Sequence, residues 1–302
     1  IQEHEGRGMP EVIGDHYMLL QLERRGGTFS VVRKAVDHRD GSFVAVKLLL
    51  GQSDDVTRKV FNNEAKTLQS LSHPNIVRYR TAGIDETDTY FLVLDWVERN
   101  LSDVLKDSGP WESWDRLAVE IALPLVDALA YTHLKQIEHR DIKPQNVLMT
   151  DAGVPLLADF GIAKIRGEEQ ATTNTVAAWH SKPYAPPELN ADTRYVRDVY
   201  SMGVLLIQCM TREQLKDLSG VERALESIPV PPDVRRLLGS CIATQPDDRP
   251  RNASDLLGEL KSIQQRRHAQ QQVARNTVWL RLTKTAIRAL GGHDQASREA
   301  MA

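Results

Sequence analysis

The sequence has few of the features that mark secreted or membrane-spanning proteins. Its 302 residues include two cysteines, Cys209 and Cys241, which are too few for a disulfide framework and which both lie among apolar residues. We therefore expect buried thiols in a reducing compartment, and hence a cytoplasmic protein. Uninterrupted apolar runs are short, such as Val204–Ile207, and no basic segment leads into an apolar one near residue 1. These patterns predict that no segment spans a bilayer and that no secretory signal is present.

Aromatic residues are also scarce, at 6% of the chain, but the overall composition is that of a soluble globular protein. Apolar residues make up 41% and charged residues 26%, which excludes a disordered or fibrous chain. The net charge of −3 is unevenly spread, because residues 261–302 hold eight Lys/Arg against two Asp/Glu, a net charge of +6. The remaining residues are acidic, so we expect no nucleic-acid partner, which would need clustered Lys/Arg to contact phosphates.

Apolar periodicity divides the chain into a β-rich part followed by a helical part. Residues 17–46 contain short apolar runs with glycine breaks, which favour an antiparallel sheet. Residues 56–71 have the period of an amphipathic helix, and strand-like runs return at Ile76–Tyr79 and Tyr90–Leu94. Long helical patterns then follow at 114–134, 196–210, 233–243 and 253–265.

These patterns predict four segments, with a fold built from two lobes. The segments are a leader over 1–15, a small N-lobe over 16–95, a larger helical C-lobe over 96–263, and a basic helical tail over 264–302. The chain is long enough to form two lobes or two small domains.

A lysine and a glutamate in the predicted N-lobe each occupy an unusual position. Lys47 ends the apolar run Val44–Val46, and Glu64, seventeen residues later, interrupts the apolar face of the predicted helix. A buried carboxylate is costly unless a cation meets it. We therefore expect Lys47 and Glu64 to form a buried ion pair.

The most specific pattern is the run His139–Leu148, which reads HRDIKPQNVL, followed by Asp159-Phe160-Gly161 thirteen residues after Asn146. A charged loop before a strand does not account for polar residues in this fixed order. From about Tyr17 to Ile263 the chain resembles the eukaryotic-like (Hanks-type) Ser/Thr protein kinases, and in particular the bacterial ones. The resemblance implies an α+β, bilobal protein-kinase fold and an ATP-dependent phosphotransferase.

By this resemblance, four residues hold the phosphates of ATP and the metal ions. Lys47 contacts the α- and β-phosphates and Glu64 orients it. Asp159 and Asn146 hold Mg²⁺, with Mn²⁺ as an alternative ion.

The same resemblance assigns the reacting hydroxyl group to two residues of the catalytic loop. Asp141 accepts the proton of the substrate hydroxyl and aligns its oxygen, and Lys143 supplies positive charge near the γ-phosphate. A lysine two residues after the aspartate is typical of Ser/Thr kinases rather than Tyr kinases. The expected substrates are proteins, including the chain itself.

The resemblance also implies a nucleotide pocket. Its predicted lining residues are Val32, Ala45, Leu94, Asp95, Val97 and Leu148, together with Gly26, Gly27, Thr28 and Ser30 of a glycine loop. Asp95, Trp96 and Val97 form the hinge that offers backbone hydrogen bonds to adenine. The glycine loop departs from the family pattern, because Gly27 is the only one of its three glycines that this sequence keeps.

Regulation is predicted from Arg140, which directly precedes the catalytic aspartate. In kinases of this type such an arginine helps to receive an activation-loop phosphate. The candidate phosphosites are Thr172, Thr173, Thr175 and Ser181. We expect autophosphorylation in trans, which involves a transient homodimer.

Three further residues match protein kinases rather than small-molecule kinases. Glu188 is expected to pair with Arg249, and Asp198 is expected to brace the catalytic loop. The altered glycine loop, and Pro186 where the family has Ala, leave one alternative function open: a pseudokinase that acts as a scaffold or nucleotide-binding switch.

The tail has an apolar face at Trp279, Leu282, Ala286 and Leu290, and a basic face at Arg281, Lys284 and Arg288. A helix of this kind is expected to dock on a partner protein or on its own C-lobe. Binding to an anionic membrane surface is a less favoured alternative, and a third is that the tail begins a further domain.

Overall fold

The structure, a computed structural model, describes residues 11–26, 30–49, 55–160, 183–188 and 194–299. The strands are β1 Val12–Ile13, β2 Tyr17–Gly26, β3 Ser30–Asp37, β4 Phe43–Leu49, β5 Tyr79–Ile84, β6 Tyr90–Asp95, β7 Arg99–Asn100, β8 Val147–Met149 and β9 Pro155–Leu157. The α-helices are α1 Asp55–Ser70, α2 Leu101–Ser108, α3 Trp114–Leu117, α4 Leu123–Leu134, α5 Arg194–Gln208, α6 Leu218–Ser227, α7 Pro232–Cys241 and α8 Ala253–Glu299. A π-helix covers Ala118–Ala122, and 3₁₀ turns cover Pro144–Asn146 and Pro246–Asp248.

The first six strands form one antiparallel sheet in the order β1-β2-β3-β4-β6-β5. Burial alternates along β3, where Arg33, Ala35 and Asp37 are buried and the residues between them are less so. This period of two arises because successive side chains of a strand point to opposite faces of the sheet. The buried face forms a core with Tyr17, Val46 and residues of β6.

The chain begins its fold earlier than predicted. Val12 and Ile13, inside the predicted leader, pair with Met18 and Tyr17 of β2, and Ile13 is buried in the core of the sheet. The leader prediction is therefore wrong for these residues, because two-residue strands are too short to produce a period. Residues 1–10 lie outside the described part of the chain.

The Phe91 ring of β6 packs against two glycines from separate parts of the chain. A Cβ added at Gly14 would lie 2.5 Å from Phe91 Cζ, and one added at Gly83 would lie 2.6 Å from the same atom. Gly14 also has a φ of 55°, which favours glycine. The ring therefore occupies space that any larger residue at either position would need.

Helix α1 confirms the helix predicted at 56–71, within one residue at each end. Its buried residues Phe61, Glu64 and Leu68 recur every three or four positions and form one face. The predicted strand Ile76–Tyr79 is wrong in position. Strand β5 starts only at Tyr79, and Ile76 makes an isolated bridge with Leu157.

The segment Trp114–Leu134 crosses the centre of the helical part. It is interrupted by the π-helix Ala118–Ala122, which ends two positions before Pro124, a residue whose nitrogen cannot donate a helical hydrogen bond. With a mean hydropathy of 1.4 it is long and apolar enough to cross a membrane, which the short apolar runs did not predict. However, 61% of its apolar eighteen-residue stretch is buried inside the protein, as in a core helix of a globular domain.

The remaining helices complete the predicted helical lobe. Helix α5 is buried from Asp198 to Ile207, and a Cβ on its Gly203 would lie 2.6 Å from Cys241 Cβ of α7. Cys209 and Cys241 are both buried and neither forms a disulfide, as predicted. Helices α2 and α6 were not predicted, since each is short. An antiparallel sheet followed by a helical lobe confirms the predicted α+β, bilobal organisation.

The chain divides into two compact units, Ile1–Leu257 and Gly258–Ala302. The predicted boundary between C-lobe and tail at 263/264 lies inside helix α8, which is continuous over Ala253–Glu299. The second unit, as far as the structure describes it, consists of this helix alone.

Candidate active site

The loop between α4 and β8 brings three polar side chains of the HRDIKPQN motif together. Lys143 Nζ donates to Asp141 Oδ2 at 2.9 Å, and Asn146 Nδ2 donates to the same oxygen at 2.9 Å and to the Asp141 carbonyl at 2.8 Å. Asp141 and Asn146 are both buried. The amide nitrogen of Asn146 thus fixes the orientation of the Asp141 carboxylate.

Asp198 of helix α5 holds the backbone of this loop. Its Oδ2 accepts the His139 N–H and its Oδ1 accepts the Arg140 N–H, both at 2.7 Å. Arg140 has a φ of 63°, a left-handed conformation that is unfavourable for a residue with a Cβ. The carboxylate therefore stabilises a strained backbone one residue before Asp141.

A histidine connects Asp198 to a further element. His133 Nε2 lies 3.1 Å from Asp198 Oδ2, and His133 Nδ1 accepts the backbone N–H of Ala253 at 3.1 Å. Because Nδ1 accepts, the proton of the neutral ring is on Nε2, which donates to the carboxylate. Burial opposes ionisation of Asp198, but the hydrogen bonds from the His133 side chain and the His139 backbone outweigh it and lower the pKa of this carboxyl group.

Across the cleft, Lys47 of β4 contacts two carboxylates. Its Nζ lies 2.8 Å from Glu64 Oε1 of α1 and 2.7 Å from Asp159 Oδ1. Lys47 and Glu64 are buried, whereas 52% of the Asp159 side chain is exposed. The ion pair predicted from the unusual positions of Lys47 and Glu64 is therefore present, and Asp159 joins it.

The charges of this group stabilise one another. Burial lowers the pKa of Lys47, but Asp159 and Glu64 outweigh this effect and raise it above its ordinary value. Desolvation raises the pKa of Asp159, but the ammonium of Lys47 outweighs it and the net shift is downwards. Lys47 is therefore cationic and Asp159 anionic throughout the physiological pH range.

Next to Asp159, the Phe160 ring packs on the catalytic loop. Its centroid lies 4.5 Å from that of His139, and both side chains are buried. Burial lowers the pKa of His139, so the ring is neutral near pH 7. This contact connects the Asp159-Phe160 segment to the residues that carry Asp141.

A cleft of about 760 Å³, including open solvent at its mouth, separates the sheet from the catalytic loop. Most of the predicted nucleotide residues line it: Val32, Ala45, Lys47, Leu94, Asp95, Val97 and Leu148. Strand pairing explains the arrangement above the cleft, because Ala45 is paired with Leu94. Leu148 lies on β8, which pairs with β7 and β9 in a separate three-stranded sheet.

Some predicted residues lie at the ends of strands or outside the described part of the chain. Gly26 ends β2 and Ser30 begins β3, but Gly27 and Thr28 fall outside the described residues. The predicted phosphosites Thr172, Thr173, Thr175 and Ser181 also fall outside them.

A buried ion pair lies beyond the cleft, as predicted. Both terminal nitrogens of Arg249 contact the Glu188 carboxylate, at 2.6 and 2.8 Å. Arg249 Nε donates to the Ala243 carbonyl at 2.8 Å, and its guanidinium lies 4.9 Å from the centroid of the Tyr200 ring. The pair fixes the position of Glu188, near the end of the Ser181–Glu188 segment.

Two groups at the hinge were not found from the sequence. Arg80 Nε donates to Asp95 Oδ1 at 2.6 Å, and Lys34 Nζ donates to Glu98 Oε2 at 2.9 Å. Each contact joins different strands or loops, so no local pattern predicts it. Because side chains alternate between the two faces of a strand, the sequence could have been used to predict that Lys34 shares a face with Val32.

This fold and this site define a class of protein. The model of the protein kinase domain matches residues 26–273, so the chain belongs to the protein kinase family. The predicted protein-kinase fold is thereby confirmed. Members of this family use ATP with a divalent metal ion and act on proteins.

Similar proteins with curated names include bacterial serine/threonine-protein kinases. The chain is 33% identical over 260 residues to PknK of Mycobacterium tuberculosis, a match that covers 80% of this chain and 23% of that protein. It is 30% identical over 269 residues to PrkC of Bacillus subtilis, covering 83% and 41%. A Clostridium perfringens protein named as a probable serine/threonine-protein kinase is 32% identical over 275 residues, covering 84% and 39%.

These relatives confirm that the chain is a Hanks-type Ser/Thr protein kinase domain of bacterial type. The chain spans about two fifths or less of the length of these relatives. The parts of these relatives that lie outside the match therefore provide no information about this chain.

Proposed function

We propose that this chain transfers the γ-phosphoryl group of ATP to Ser and Thr hydroxyl groups of proteins. One observation carries the proposal: two hydrogen-bonded groups meet at one cleft, which is lined by Asn146 from the first group and by Lys47, Glu64 and Asp159 from the second. Asp141, Lys143 and Asn146 form the first, and Lys47 with its two carboxylates forms the second. Phosphoryl transfer requires mainly positioning and charge neutralisation, and these side chains supply both.

Asp141 and Lys143 act on the substrate hydroxyl group. The Asp141 carboxylate accepts the hydroxyl proton as the oxygen attacks, and its orientation is fixed by Asn146. Lys143 Nζ, 2.9 Å from that carboxylate, places positive charge where the transferred phosphoryl group becomes more negative. Lys47 neutralises the α- and β-phosphates, and Glu64 keeps its ammonium directed into the cleft.

Asn146 and Asp159 are the proposed metal ligands. Both line the same cleft and offer oxygens, the donors that Mg²⁺ prefers. The Asn146 amide nitrogen donates to Asp141, which leaves the amide oxygen as the group that would bind a cation, and 52% of the Asp159 side chain is exposed. A bound Mg²⁺ ion would neutralise charge on the β- and γ-phosphates; Mn²⁺ has similar ligand preferences.

Activation-loop autophosphorylation in trans, through a transient homodimer, is the proposed regulation. It is supported by Arg140, which precedes Asp141 and whose backbone is fixed by Asp198. We propose Thr172, Thr173, Thr175 and Ser181 as the phosphosites. The basic tail is proposed to dock a protein, with an anionic membrane surface as the less favoured alternative, and the domain is proposed to work in the cytoplasm.

The first test is incubation of the purified chain with Mg²⁺ and γ-labelled ATP, with sites mapped by mass spectrometry. Asp141→Asn and Lys47→Met serve as inactive controls, since each removes one proposed function and little volume. We expect phosphoserine or phosphothreonine in the wild type alone.

Two results would contradict the proposal. Labelling that persists in both variants would show that the proposed residues do not catalyse transfer. ATP-dependent thermal stabilisation without any labelling, on the chain itself or on general protein substrates, would favour the pseudokinase.

A further inference from the structure

The front edge of the cleft, where strand β3 approaches the hinge, carries a lysine that the proposed mechanism does not use. Lys34 lies two residues after Val32 on β3 and pairs with Ala45 of β4. Alternate residues of a strand, and directly paired residues of neighbouring strands, project from the same face of a sheet. Since Val32 and Ala45 both line the cleft, the Lys34 side chain lies on the cleft side of the sheet.

The Lys34 ammonium lies between two aromatic rings. Its Nζ is 4.7 Å from the centroid of Phe43 and 5.1 Å from the centroid of Trp96. These distances are those of cation–π interactions. The Lys34 side chain is only 12% exposed, so the rings replace much of the water that would surround the ammonium.

One carboxylate oxygen completes this arrangement. Glu98 Oε2 accepts Lys34 Nζ at 2.9 Å and the indole Nε1–H of Trp96 at 2.8 Å. Trp96 is thereby held by its ring face, through Lys34, and by its edge, through Glu98. The three side chains determine one another's positions, and Trp96 is the member that lines the cleft.

We propose that Lys34 is a positioning residue for nucleotide binding, which fixes Trp96 as the front wall of the adenine pocket. Lys34 acts through Trp96, because it is not among the residues that line the cleft. This inference rests on the proposed function, and it adds a residue that determines how tightly the adenine base of ATP binds. Binding of the phosphates depends instead on Lys47, which lies two residues after Ala45 on β4.

Lys34→Met tests the proposal, because it keeps the length of the side chain and removes the charge. We expect adenosine and Mg²⁺-ATP to bind about tenfold more weakly, and by the same factor, since both contain the base. Inorganic tripolyphosphate with Mg²⁺ should bind unchanged. The KM for ATP should rise in parallel while kcat stays within about twofold, and Lys34→Arg should restore most of the affinity.

Lys135→Met is the matched control. Lys135 Nζ also lies over an aromatic ring, 5.3 Å from the Tyr131 centroid, but outside the cleft. Its substitution should leave all three dissociation constants unchanged. Glu98→Gln should weaken adenosine binding, and the double variant Lys34→Met/Glu98→Gln should be no weaker than Lys34→Met, since the groups act together.

Calorimetric titration of each variant, after its thermal unfolding is checked, distinguishes the outcomes. Adenosine binding that is unchanged in Lys34→Met, or a loss that tripolyphosphate shares equally, would overturn the inference. Should Lys34→Met fail to fold, adenosine binding that is unchanged in Glu98→Gln would overturn the inference, because this variant breaks the Lys34–Glu98–Trp96 arrangement. A wild type that binds neither adenosine nor ATP would overturn the proposed function itself.

Discussion

Replacing Asp198 by Asn should separate the positioning of the catalytic loop from nucleotide binding. The Asp198 carboxylate is 1% exposed and accepts hydrogen bonds from His139, Arg140 and His133. An Asn side chain of nearly the same shape has one oxygen, and its NH₂ group would face a backbone N–H. Each charge-assisted bond of this kind contributes about 1.5–3 kcal/mol.

The strained backbone of Arg140 adds to the stability that Asp198→Asn is expected to lose. Its left-handed conformation, with a φ of 63°, costs about 1–3 kcal/mol when the surrounding structure does not stabilise it. We therefore expect Asp198→Asn to lower the free energy of unfolding by about 3–5 kcal/mol. Relaxation at Arg140 would displace Asp141, and a shift of 1 Å can cost about 100-fold in rate.

Urea unfolding and steady-state kinetics measure the two effects. We expect kcat to fall about 100-fold, whereas the KM for ATP should change little, because Asp198 does not line the cleft. Asp255→Asn makes the same chemical change at an ion pair whose Arg251 side chain is 86% exposed, so it should alter stability by less than about 0.5 kcal/mol. If Asp198→Asn kept its stability within about 1 kcal/mol and its kcat within threefold, the assigned role of these hydrogen bonds would be refuted.

Three further predictions concern buried groups outside the catalytic loop. The hydrogen bond from Arg39 overcomes burial and lowers the pKa of Asp37 to about 2. The ionised Asp37 therefore adds to the free energy of unfolding above pH 4, and this stabilisation is lost as the pH falls towards 2. Because the Arg39 side chain is 54% exposed, Asp37→Asn should lower the free energy of unfolding by only about 1–2 kcal/mol at pH 7, and by progressively less below pH 4. A difference in stability between wild type and variant that stays constant from pH 7 to pH 2 would contradict this prediction. Arg249→Met should cost about 3–5 kcal/mol in urea unfolding, because it leaves Glu188 without its cation, and Arg249→Met combined with Glu188→Leu should recover part of that loss. Burial raises the pKa of Cys209, so a thiol reagent at pH 8 should label it only after unfolding, and stoichiometric labelling of the native protein would count against the burial.

The sequence predicts those parts of the site whose chemistry is visible in short segments. The catalytic-loop motif contains Asp141, Lys143 and Asn146 within six residues, and the structure shows these three side chains hydrogen-bonded together. Lys47 and Glu64 were predicted to pair because each is costly to bury alone. In both cases a physical requirement is written into residue type and spacing.

Contacts that depend on tertiary structure could not be predicted in the same way. The hydrogen bond from Ala253 to His133 joins residues 120 positions apart, and no local periodicity reports such a contact. Trp96 lies in the hinge predicted from the sequence and Glu98 follows that hinge directly, but their contacts with Lys34 depend on how β3, β4 and β6 align. The register of a sheet, rather than composition, determines which side chains meet.

Among the helices and strands, too, some could be predicted from the local sequence and others could not. Helix α1 was predicted almost to the residue, because sixteen residues give a clear amphipathic period. Strand β1 was missed, since two residues give none. Local length therefore limited what could be predicted more than composition did.

The packing of Phe91 has a consequence for how this sequence can diverge. Its ring fills the space above both Gly14 and Gly83, so three positions in distant parts of the chain share one volume. A larger residue at position 83 becomes tolerable only after Phe91 is replaced by a smaller one, and the order of these two substitutions matters. Among descendants of this chain, positions 83 and 91 should therefore vary as a pair, while the left-handed backbone at position 14 keeps its glycine in either case.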